Sequence, residues 1–164
     1  MAFLTQSLNQ FAQSPILGLV DQIPSLNVIT AQILTTSAAT AIQVGSTVKL
    51  VDGTGANIIV DVCSAVTDGP VYGVILFNQK KNTYAPGDRV EIACVGSVLY
   101  LKTSAAVARG TKVGTTPATT TADPTVQAIA TAATDYVTGV ALDKATAANQ
   151  LIRVQIQPSL NGAV

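Results

Sequence analysis

Residues 67–113, TDGPVYGVILFNQKKNTYAPGDRVEIACVGSVLYLKTSAAVARGTKV, hold the densest strand and turn signals in a chain of 164 residues. Val71 to Phe77 is an apolar run of strand length and reads as a buried strand. Tyr84-Ala85-Pro86-Gly87-Asp88-Arg89 then supplies a turn, with Pro86 pre-setting φ and Gly87 free to take φ > 0. In the strand that follows, Val90, Ile92 and Cys94 share one face while Arg89, Glu91 and Ala93 share the other. That is the period of two expected when one face meets a core. A tight turn feeds a half-buried strand, and residues 90–102 hold one or two of these.

The device recurs. Gly45-Ser46-Thr47-Val48, Gly87-Asp88-Arg89-Val90 and Gly110-Thr111-Lys112-Val113 all run Gly, polar, polar, Val. A longer echo sets Gly73-Val74-Ile75-Leu76 and Val90-Glu91-Ile92 beside Gly139-Val140-Ala141-Leu142 and Val154-Gln155-Ile156. A strand, a connection and a partner strand therefore read as occurring twice.

Working outward, Val48 and Leu50, then Ile58, Val60 and Val62, alternate around Asp52-Gly53-Thr54-Gly55, a hairpin signature. Near the C-terminus Ile152, Val154 and Ile156 face one way and Arg153, Gln155 and Gln157 the other, with Pro158 as the expected stop. Residues 114–125, GTTPATTTADPT, read as an exposed Thr-rich loop, and residues 126–134 lean to strand. Short strands, Gly and Pro turns and no sustained helical period predict an all-β chain, a small β-barrel or sandwich.

Residues 1–40 differ, because Asp21 is their only charge. Phe3, Leu4, Leu8 and Phe11 make one face of a short helix that Pro15 ends. Ile16 and Leu17 open an apolar run closed by Asp21, and after Pro24 the residues Leu26, Val28 and Thr30 alternate as in a strand. Two placements stand: an edge strand and helix added to the chain's own barrel, or an extended arm that clamps a neighbour. The division taken is an N-terminal arm at 1–40 and a β-barrel domain at 41–164. Phe3, Leu4, Leu8, Phe11, Ile16 and Leu17 are its candidate interface residues, toward another subunit or a partner.

Composition narrows the function. Nine basic and nine acidic residues leave no net field toward nucleic acid or anionic lipid. No apolar run approaches the roughly 18 residues of a membrane span, and residues 1–14 lack the positive start of a secretory signal, so a cytoplasmic setting is expected. With 11% of residues charged and 48% apolar, surface is expected to be buried against partners. The absence of His removes the usual general base and the commonest zinc ligand. Gly53-Thr54-Gly55-Ala56-Asn57-Ile58 puts Ile58 where a dinucleotide loop needs Gly, and Gly110-Thr111-Lys112 lacks the order of a phosphate loop. Asp52, Asp68 and Asp88 are turn residues beside Gly, and Asp61 sits on a polar strand face. No catalytic, metal or cofactor site is expected. Cys63 and Cys94 have opposed strand parities and read as small apolar fillers rather than a disulfide.

At Thr67-Asp68-Gly69, Gly73-Val74-Ile75-Leu76 and Gly96-Ser97-Val98 the chain resembles the head decoration (capsid cement) proteins of tailed bacteriophages, including the lambda-like ones. The resemblance covers about residues 43–113 and, more loosely, 139–156. The longer N-terminal segment and the Thr-rich insertion depart from it. It implies a β-tulip-like barrel in a homotrimer, bound to the major capsid protein at subunit junctions on the outer capsid surface, which stabilises the shell against packaged DNA. The protein would then reside in the virion, and in the host cytoplasm during assembly, without touching nucleic acid or membrane. The rival reading is another virion or cell-surface β module, such as a fibre or receptor-binding piece.

Overall fold

The structure, a computed structural model, describes residues 27–51, 57–64, 67–115, 124–129 and 136–160. Among them run β1 (Val28–Ile33), β2 (Ile42–Gln43), β3 (Thr47–Leu50), β4 (Ile59–Val62), β5 (Val71–Ile75) and β6 (Thr83–Tyr84). They continue with β7 (Arg89–Ala93), β8 (Val98–Lys102), β9 (Lys112–Thr115), β10 (Val126–Ala128), β11 (Tyr136–Ala141) and β12 (Leu151–Leu160). The described residues contain no helix, so the all-β expectation holds.

β1, β4, β3, β5 and β7 close into a barrel. The expected hairpin is β3–β4, with Val48 opposite Val62 and Leu50 opposite Val60, and its Asp52-Gly53-Thr54-Gly55 tip lies outside the described residues. β1 completes the circle, antiparallel to β7 along its length and parallel to β4 at Gln32 and Ile33. A strand within residues 1–40 is thus part of the barrel. The short helix read at Phe3 to Phe11 lies outside the described residues.

The second sheet, β10-β9-β11-β12-β8, repeats the strand order of this barrel and many of its pairings. Val48 faces Gly73 in the first, and Val113 faces Gly139 in the second. Ile75 faces Ile92, and Ala141 faces Val154. The parallel contact of Ile33 with Val60 returns as a bridge from Thr103 to Val126, which joins the outer strands of the second sheet. Single hydrogen bonds recur too: Leu34 N to Val60 O (2.8 Å) returns as Ser104 N to Val126 O (3.0 Å), and Cys63 N to Thr47 O (2.9 Å) as Ile129 N to Lys112 O (3.0 Å). The chain is a tandem pair of five-stranded barrels. The sequence echo marked this duplication, with one shift: Ile92, not Val90, is the counterpart of Val154.

The recurring Gly turns are what pin each barrel's register. Gly45, Gly87, Gly96 and Gly110 have φ of 83°, 89°, 92° and 80°, where a side chain would crowd its own backbone. Each lies two residues before a strand, in a turn closed by the next residue's amide, as in Ser46 N to Gln43 O (3.2 Å) and Asp88 N to Ala85 O (3.1 Å). Each Gly N–H also donates to a carbonyl on another strand, Gly45 to Ile75 and Gly110 to Ala141 (both 2.8 Å). That strand's amide returns a bond to the residue after the Gly. This is a β-bulge built on a left-handed Gly, which adds twist and fixes strand pairing. Asn149, with φ of 62°, does the same with Thr103 at the place Gly87 holds in the first barrel.

One apolar cluster fills the first barrel around Ile33, Val48, Val60, Ile75 and Ile92. The other fills the second and takes in Val74, Leu76 and Ala93 from the first. β5 is therefore buried on both faces, which explains the unbroken apolar run that marked it as a buried strand. Ala93 is buried for the same reason, although its parity put it on the polar face. Cys63 is also buried, at 2% exposure, because β4 ends at Val62 and strict alternation ends with it. Pro158 does not stop the last strand. β12 runs on to Leu160, and the register between β11 and β12 shifts between Val137 and Gly139, which leaves Pro158 in an irregular stretch where a missing N–H is tolerated.

Candidate interaction surface

The six apolar residues expected to form the interface, Phe3, Leu4, Leu8, Phe11, Ile16 and Leu17, lie outside the described residues. The described surface adds three large apolar side chains, Leu50 at 52%, Ile58 at 37% and Val95 at 58%, of which strand parity had turned Leu50 and Ile58 inward. Leu50 and Ile58 continue the inward face of the β3–β4 hairpin past the end of the core. Their position beside the Asp52-Gly53 tip was the available signal. Val95 stands in the turn Cys94-Val95-Gly96-Ser97 that joins the barrels.

Four of the described carboxylates are engaged in structure. Asp68 accepts bonds from the Lys49 ammonium and from the Ser64 amide and hydroxyl (3.0 and 3.1 Å). Asp88 closes the Ala85 turn (2.7 Å to Ala85 N) and pairs with Lys81, whose ammonium lies 5.3 Å from the Tyr84 ring centre. Asp143 receives a two-pronged bond from Arg153, 2.9 Å from Nε and 2.8 Å from Nη2. Asp61 accepts from the Ser37 hydroxyl at 2.6 Å. Among the described residues no three His, Cys, Asp or Glu side chains converge to hold a metal ion, and no helix is long and apolar enough to cross a membrane.

These contacts set the pH response. Burial raises the Asp68 carboxyl, but hydrogen bonds from Lys49 and Ser64 outweigh it, and the net shift is downward. The Ala85 amide and then Lys81 lower Asp88, and Arg153 lowers Asp143. A carboxyl lowered in the folded state adds stability that is complete above its unfolded value near 4 and is lost as pH falls through the folded one. No His titrates above that range. Urea melts should therefore give the same midpoint at pH 5.5 and 7.5, with a decline only below about pH 4. A drop between pH 7.5 and 5.5 would contradict this assignment.

Fold and surface together define the class: a two-barrel β module whose described acidic groups mostly brace turns and strand pairs. The family model for structural cement proteins (E217 gp24/Pam3 gp6) matches residues 5–157, and the chain belongs to that family. The resemblance to phage head decoration proteins thus holds at the level of the structural cement family. Among solved structures, the N base of head fibre gp8.5 of bacteriophage phi29 is similar, with a TM-score of 0.52 and 16% identity over 80% of this chain and 94% of that one. The likeness is one of fold. No curated protein matches the sequence.

Proposed function

We propose that this protein is a capsid decoration protein, a non-enzymatic cement that binds the major capsid protein at subunit junctions on the outer surface and holds the shell against packaged DNA. Membership of the structural cement family carries the reading. Its working form is a homotrimer of about three times the 16.7 kDa chain mass, made in the host cytoplasm and retained in the virion. The binding arm is the segment before Asn27, with Phe3, Leu4, Leu8, Phe11, Ile16 and Leu17 as anchors on the capsid protein or on a neighbouring subunit. Each buried anchor contributes on the order of 1 to 3 kcal/mol, less the cost of ordering it. Repetition over a shell multiplies such contacts.

The likeness to a head fibre base favours a second reading, a pedestal that attaches to the head and carries a further protein. One experiment separates the two. Particles lacking the protein are mixed with the full chain, imaged by electron microscopy and heated or treated with chelator. A cement decorates them and raises the temperature of DNA release, whereas a pedestal decorates them and leaves that temperature unchanged. Deleting residues 2–14 should leave the barrels folded and weaken binding a hundredfold or more. Undiminished binding would move the capsid contact onto the barrels.

A further inference from the structure

The two barrels share a strand pattern, and they differ in what lies beside the open stretch of β1 and of its counterpart β8. In β1 the amides of Gln32 and Leu34 point to β4, bonded to Ile58 O and Val60 O (both 2.8 Å), while Ile33 N bonds to Asp88 O on the β7 side. Alternation turns the backbone of Val28 and Thr30 to the β4 side as well. β4, however, reaches only Gln32 and Ile33, so no strand among the described residues lies beside residues 28–31 there. The result is a groove of about 200 Å³ lined by Thr30, Ala31, Gln32, Asn57, Ile58 and Arg89.

At the corresponding place in the second barrel, Pro124, the counterpart of Ile58, is buried where Ile58 is exposed. Thr115, the counterpart of Leu50, is 6% exposed against 52% for Leu50. Among the described residues the first barrel thus leaves this strand edge uncovered and flanked by exposed apolar side chains, a template for strand addition.

We infer that residues 16–23 of a second copy of this chain add as a strand in this groove, with Asp21 meeting Arg89. The segment ILGLVDQI lies between Pro15 and Pro24, has strand length and carries a single charge, Asp21. Arg89 has no carboxylate partner among the described residues, so the groove's cation and the segment's acid are complementary. The 26 residues before Asn27 extend to roughly 85 Å at about 3.3 Å per residue, ample to reach a neighbour. The inference concerns copy-to-copy contact alone, and its test contains no particles, so it fails or stands apart from the capsid reading.

Purified Thr30→Cys chains are mixed with Leu19→Cys or, for the opposite strand direction, Ile23→Cys full-length chains, both positions sharing the strand face of Asp21 as Thr30 shares that of Arg89, and oxidised with the buried Cys63 and Cys94 left in place. A disulfide-linked dimer containing one chain of each kind is expected, at least fivefold above either variant alone. Arg89→Glu in the Thr30→Cys chain should remove most of it, and Asp21→Lys in its partner should restore it. Linkage only within single chains of a double variant carrying Thr30→Cys with Leu19→Cys or Ile23→Cys would assign the groove to the chain's own arm and overturn the inference. Absence of any link would overturn it too, with Gln32→Cys as a second groove site should Thr30→Cys fail to fold.

Discussion

Gly139→Ala should unfold the second barrel or cost on the order of 3 kcal/mol or more, out of a total that for such domains is about 5 to 15. A Cβ at this position would run into the Gln155 carbonyl oxygen and lie 2.9 Å from Val154 Cγ1, so β11 and β12 would have to part. Backbone cannot swing aside as a flexible side chain can. Gly73→Ala meets the same obstacle in the first barrel, at the Ala93 carbonyl and 2.5 Å from Ile92 Cγ2. Gly96→Ala supplies the contrast, since its Cβ meets nothing within 4 Å and only the left-handed φ of 92° opposes it. About 1 to 2 kcal/mol is expected there. Urea unfolding of the three variants checks the order. A Gly139→Ala protein as stable as Gly96→Ala would mean the strands separate cheaply.

Alkaline pH should expose a second large effect. Burial, and then the nearby Asp68 carboxylate, push the Cys63 thiol up to about 12, whereas an unfolded cysteine ionises near 8.5. A group raised in the folded state adds stability that is complete below the unfolded value and is lost as pH rises toward the folded one. Each pH unit in that window removes about 1.4 kcal/mol, so about 2 kcal/mol should be gone by pH 10. Lys49, raised chiefly by its bond to Asp68, acts in the same direction at higher pH, and burial raises Tyr72 and Tyr84 as well. The informative quantity is therefore the difference in slope between wild type and Cys63→Ala from pH 8 to 10. Equal slopes would show that Cys63 does not govern the loss.

Much of this architecture was legible in the sequence, because it is written in local chemistry. Gly45, Gly87 and Gly110 could be read as turn residues without knowing their partners, and the alternation of Val90 with Ile92 and of Ile152 with Val154 and Ile156 identified inward faces. What escaped depends on distant contact. Ala93 looked polar-facing because nothing local shows that a second barrel covers it, and Cys63 looked outward because parity was carried past the end of a strand. Leu50 and Ile58 looked buried although the core stops short of them. The full duplication was hidden by divergence, since Asn149 stands in for Gly87 and Thr103 for Ile33. Of the surface, the six N-terminal anchors were proposed from composition, while the Arg89 groove follows only from hydrogen-bond direction along β1.

The placement of β1 also decides how the molecule bears a load. Its cross-strand bonds to β7 run from Val28 opposite Ala93 to Gln32 opposite Arg89, and Cys94 N to Asn27 O (2.7 Å) extends that ladder to the chain entering the barrel. Such bonds lie perpendicular to the strand. Tension drawn along the strand axis from residues before Asn27 stresses them together in shear, whereas a sideways pull opens them one at a time, like a zipper. A protein anchored through its N-terminal segment would thus grip hardest when tugged lengthwise, and the direction of pull would count for as much as the strength of binding.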